Sequence, residues 1–99
     1  MALAGGARVR LAAYGLADAE RQVEKEVAAA WPGAAVEVTD VARTESAGRI
    51  VEEFAVRYRV RGSLTVEAAD AVEARRAALR MLRERFEGTR HAHIAWDPE

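Results

Sequence analysis

The sequence predicts an α+β domain in which four antiparallel strands form one sheet and two helices cover one of its faces. Three observations lead there. Residues 50–67, IVEEFAVRYRVRGSLTVE, put Phe54, Val56, Tyr58, Val60, Leu64 and Val66 on even positions and Glu53, Arg57, Arg59, Arg61, Ser63, Thr65 and Glu67 on odd ones. That is the period-2 pattern of a strand with one apolar and one polar face. Two segments, 18–31 and 70–87, instead carry apolar residues at helical spacing. Shorter alternating segments at 8–14, 35–43 and 90–96 complete the order β-α-β-β-α-β.

Taken in order, residues 1–7, with Gly5 and Gly6, read as a flexible leader to a single domain spanning 8–97, and 98–99 as a C-terminal tail. In the first strand, 8–14, Val9, Leu11 and Ala13 share a side. Gly15 breaks it, and Asp18 is placed to cap a helix through Trp31. Leu16, Ala19, Val23, Val27, Ala30 and Trp31 form its apolar stripe, and Pro32-Gly33 ends it. Residues 35–43 start as a strand with Val36 and Val38 inward, and the alternation blurs after Asp40. Residues 44–49, TESAGR, suit a hairpin connection.

Beyond the long third strand, Asp70 and Glu73 make a capping-box pattern for a helix to Glu87, with Gly88 as its stop. Ala71, Ala74, Ala78, Leu79, Leu82 and Phe86 form its apolar face, and Arg75 lies along that stripe, where it must snorkel or find a partner. In the last strand, 90–96, Ala92, Ile94 and Trp96 fall on one side and His91, His93 and Ala95 on the other.

Two split β-α-β units in succession are the ferredoxin-like βαββαβ arrangement, a sandwich with strand order 4-1-3-2. A Gly62-Ser63 hairpin turn is disfavoured because pairing across it sets Arg61 opposite Leu64 and Arg59 opposite Val66. A continuous strand of that length, at about 3.3 Å per residue, outruns a seven-residue first strand. The sequence therefore leaves two solutions: a bulge or bend at Gly62, or pairing of the surplus with a second chain.

Composition narrows the function classes. With 99 residues, 51% hydrophobic and 31% charged, the chain is one folded domain rather than a disordered segment. Fifteen basic and sixteen acidic residues give a net charge of −1, so any attraction for nucleic acid must be local. The absence of cysteine excludes disulfides and thiolate chemistry. No apolar run reaches the length of a membrane span, and none ahead of Arg8 resembles a signal peptide, so a cytoplasmic protein without a membrane partner is expected.

The candidate ligand-binding residues gather on the open sheet face: Arg8, Arg10, Arg57, Arg59 and Arg61, with His91 and His93 on the fourth strand. Five guanidinium groups on neighbouring strands need counter-charge, which Glu37, Glu53 and Glu67 supply in part. Strand parity lets His91 and His93 point the same way, yet no spacing nominates a third ligand, so neither a metal nor a cofactor is expected. RNA-binding domains of this topology stack bases on aromatics of the central strands, whereas the outward positions here are arginine or alanine apart from Tyr14. Nor is there a phosphate loop, a Gly-x-Ser-x-Gly elbow or a His-Glu-x-x-His motif.

The sequence therefore favours a non-enzymatic domain that self-associates, as a dimer, through the open face or the overlong third strand. Two readings stand behind it. One is an anion or nucleic-acid binding module built on the arginines. The other is an enzyme with a pocket at a paired sheet face and His91 or His93 as base.

Overall fold

A computed structural model describes residues 1–45 and 50–98. The elements are β1 (Ala2–Ala13), α1 (Leu16–Ala30), β2 (Ala35–Glu45), β3 (Glu52–Ser63), α2 (Ala71–Phe86) and β4 (Ala95–Trp96). They form one antiparallel sheet in the order β2-β3-β1-β4, which read from the β4 edge is 4-1-3-2. The expected connection at 46–49 and the final residue of the tail lie outside the described residues.

The largest departure from the sequence reading is at the start. Residues 1–7 are not a loose leader: β1 begins at Ala2 and pairs without interruption with β3, from Ala2 opposite Ser63 to Ala13 opposite Glu52. Met1 extends the ladder, its amino group donating to the Leu64 carbonyl at 2.8 Å while the Leu64 N–H donates back at 2.9 Å. The length mismatch disappears with it. Both central strands are 12 residues long, so β3 has no surplus for a second chain, and Gly62 pairs with Leu3 without a bulge or turn.

The glycines of this ribbon are required by close approach. A Cβ on Gly5 would lie 2.7 Å from the Ala95 carbonyl and 2.8 Å from the Trp96 ring, where β4 crosses. One on Gly62 would lie 2.6 Å from the Trp31 indole. Gly5 and Gly62 therefore mark where other groups press on a strand, the second meaning of glycine in a sheet.

In β2 the alternation blurs for a local reason. The register with β3 shifts between Val38 and Asp40 and again between Arg43 and Glu45, so Thr39 and Thr44 are the extra residues of two bulges. Each threonine hydroxyl donates to a β3 carbonyl, Thr39 to Arg57 at 3.1 Å and Thr44 to Glu53 at 3.2 Å. The first bulge resets parity and keeps Val41 opposite Val56 on the apolar face. Arg43 then falls over the Phe54 ring, 5.8 Å from its centroid, and pairs with Glu52.

Both helices lie on one face. Ala19, Val23 and Val27 of α1 and Ala78, Leu82 and Phe86 of α2 join Leu3, Val9, Leu11, Phe54, Val56, Tyr58 and Val60 in a single core. Trp31 closes one end, edge-on to Trp96 at 5.9 Å, with Phe86 6.1 Å from the same ring. Burial of such side chains stabilises by about 1.5–3 kcal/mol each. The start of α1 departs from expectation: the helix begins at Leu16 after Gly15, and Asp18 accepts the Tyr14 N–H at 2.9 Å from inside the first turn. The α2 cap is as read, with Asp70 accepting the Glu73 N–H at 2.9 Å and the Glu73 carboxylate accepting the Ala69 N–H.

The fourth strand is shorter than the 90–96 expected. Residues 87–93 form turns, and only Ala95 and Trp96 pair with β1. Thr89 causes this: its hydroxyl donates to the Phe86 carbonyl at 2.7 Å and accepts the His91 N–H at 3.1 Å, folding the chain back on the helix end. The two histidines consequently leave the strand geometry that placed them side by side.

Candidate functional site

The sheet face away from the helices carries the arginines. Reading across β2, β3 and β1, one row is Asp40, Arg57, Arg8; the next is Glu37, Arg59, Gly6; the one after is Ala35, Arg61, Ala4. Arg10 and Glu53 lie on the other side of the first row, 4.0 Å apart. All five expected arginines are thus on one face, with acids concentrated on β2 and at the ends of the ribbon.

Arg59 is the most firmly held. Its guanidinium donates to both oxygens of Asp97, one at 3.1 Å. Asp97 is itself anchored, its N–H donating to the Ala4 carbonyl at 2.8 Å and its carbonyl accepting from Arg75. The hydrogen bonds from Arg59 hold the Asp97 carboxyl below its ordinary range, helped by the charges of Arg59 and Arg75. Both side chains are near half exposed, so the pair fixes geometry more than it adds stability. Strand parity would have found Asp97, which follows Ala95 on the arginine side; among the expected counter-charges, Glu67 lies beyond the end of β3.

Arg8 and Arg57 are directly opposite each other. Because Met1 and Leu64 exchange both backbone bonds, odd residues of β1 form the hydrogen-bonded pairs, and Arg8–Arg57 falls in a non-hydrogen-bonded pair, where side chains approach most closely. Asp40 flanks Arg57 on one side only. Opposed like charges destabilise a sheet by about 0.2–1 kcal/mol, and the Arg8 side leaves that cost uncompensated among the described residues.

The histidines do not belong to this face. His91 is 1% exposed and lies beneath the sheet, between β3 and α1. Its Nδ1 is 2.6 Å from the Tyr58 hydroxyl and its Nε2 2.7 Å from Glu26 Oε1. Arg90 also grips Glu26, through Nε at 2.7 Å and a terminal nitrogen at 2.5 Å. Neutral imidazole satisfies every group: the Tyr58 hydroxyl donates to Nδ1, and Nε2–H donates to the carboxylate. Burial pushes the His91 pKa below its ordinary value despite the opposing pull of Glu26, and hydrogen bonds from Arg90 lower that of Glu26. The Tyr58 phenol is pushed far up by burial.

His93 turns the other way, its Nε2 2.7 Å from the Arg8 carbonyl at the β1 edge. With His91 committed on both nitrogens inside the core and His93 outside, the two do not converge on one site. Nothing in the sequence marked Tyr58–His91–Glu26, whose members are 33 and 65 residues apart; the one hint was a tyrosine on an apolar face, since its hydroxyl needs a buried partner.

The chain matches no family model, no curated protein and no solved structure.

Proposed function

We propose that this chain is a non-enzymatic association domain that dimerises through its open sheet face. The observation that supports it is the opposed Arg8–Arg57 pair on a face whose β3 arginines run alongside Asp40 and Glu37 of β2. A two-fold axis parallel to the strands and over the β2–β3 seam reverses the left-to-right order of the strands. Each β3 then lies over the partner's β2, and the arginine row of one copy meets the acid row of the other. The β3 arginines thereby meet the partner's β2 acids, and the β2–β3 half of the uncovered face is buried. The third-strand route to a dimer is withdrawn, because β3 is paired along its whole length.

The enzyme reading is weakened for His91, which is buried and bonded on both nitrogens, and His93 stands apart from it with Nε2 on the Arg8 carbonyl. The nucleic-acid reading is weakened by Asp97, Glu53, Glu37 and Asp40, which neutralise much of the arginine row locally. Sedimentation or light scattering tests the proposal: a species of twice the 10.8 kDa chain mass is expected, dissociating as salt is raised. A monomer at every concentration removes it.

A further inference from the structure

At the end of the sheet where β3 runs out, a cleft of about 780 Å³ opens between the Pro32–Gly33 turn, the start of β1 and the segment after β4. Its floor is small and apolar, formed by Leu3, Gly62 and Ala35. Two guanidinium groups reach it from different elements, Arg61 from β3 and Arg75 from α2. Among the described residues the lining's one carboxylate, Asp97, is already engaged by Arg59.

We propose that this cleft binds a small organic anion, a carboxylate, phosphate or sulfonate head on a compact apolar body. The size falls within the range of about 300–1,000 Å³ for small-molecule sites. The charge is complementary on two counts. Arg61 sits between Ala4 and Ala35 and has no ion pair among the described residues. Arg75, the arginine on an apolar helix stripe, spends one nitrogen on the Asp97 carbonyl and keeps further donors. An anionic head meets donors from both walls, and the apolar body rests on Leu3 and Pro32.

Arg61 and Ala35 form the last row of the β2–β3 face proposed to dimerise, so probe binding is titrated at a dilution where the light-scattering mass is that of the monomer, and the cleft is tested apart from the dimer. The test uses a matched pair of probes, 8-anilino-1-naphthalenesulfonate and the uncharged N-phenyl-1-naphthylamine. Saturable binding of the sulfonate is expected, with energy transfer from Trp31 and displacement by inorganic phosphate. The uncharged probe binds about tenfold or more weakly, and Arg61→Ala weakens the sulfonate by a similar factor. Ala35→Ile, which fills the cleft at an exposed strand position, abolishes binding with the far-ultraviolet circular dichroism unchanged. The proposal is overturned if the wild type shows no saturable binding, if both probes bind equally, or if the two variants bind as the wild type does.

Discussion

The Tyr58 hydroxyl donates to His91 Nδ1 at 2.6 Å, tying the middle of the sheet to the turn that follows α2. The two rings also meet edge to face, with centroids 5.4 Å apart. From His91 the chain of hydrogen bonds continues to Glu26 on α1 and to Arg90. One imidazole therefore joins three elements, in place of the longer fourth strand that would otherwise hold the C-terminal segment.

Replacing Tyr58 by Phe removes a donor and leaves Nδ1 of His91 buried without a partner. The expected loss is about 1–3 kcal/mol, read from the urea midpoint with an unchanged slope. An unchanged midpoint would show that water reaches the imidazole.

Acid acts on the same network. The His91 pKa is lower in the folded chain than in the unfolded one, so between those values the unfolded state binds more protons. Its contribution is complete above the ordinary histidine pKa of about 6.5 and is lost as pH falls below it. The depressed Glu26 carboxyl adds a second loss, as pH falls through the ordinary carboxylate range. Melting temperature should thus fall from pH 7 to pH 5, and His91→Gln should flatten that step while leaving the more acidic one. Arg90 and the neighbouring His93 also oppose protonation of His91. An equal slope in the variant would assign the step to other groups.

Gly62→Ala places a methyl group against the Trp31 indole. Overpacking of this kind costs about 1–3 kcal/mol. Trp31→Phe should recover part of the loss in the double variant, a coupling that separate effects would not produce.

Deleting residues 1–6 discriminates between a leader and a strand. The deletion strips β3 of its partner from Arg59 to Ser63 and removes the whole β1–β4 pairing. The loss should be a large share of the about 5–15 kcal/mol that holds a small domain together. A deletion with wild-type stability would mean those residues carry no structure.

How much of this was readable in the chain follows from where contrast exists. Phe54 to Val60 alternate with arginines, so β3 and its two faces were evident, as were the Asp70 cap and both helices. Ala2 to Ala7 offer no polar contrast, and the strand there was hidden, although the excess length of β3 was itself the signal of a missing partner. The fourth strand misled for the opposite reason. Its alternation is real over a few residues, but the Thr89 turn bonds override it and send His91 inward. The arginine face, with Asp97 at its edge, was legible through parity alone, whereas the inward turn of His91 and the Arg61–Arg75 cleft depend on contacts between distant segments.

The central claim is that the open face associates by matching the β3 arginines of one copy with the β2 acids of another. Its most direct test is the light-scattering mass of three proteins: the wild type, Arg57→Glu, and Arg57→Glu combined with Asp40→Arg. The account predicts a dimer, a monomer and a restored dimer, with far-ultraviolet circular dichroism alike in all three. A wild-type monomer, or a dimer that survives the single charge reversal, would contradict it.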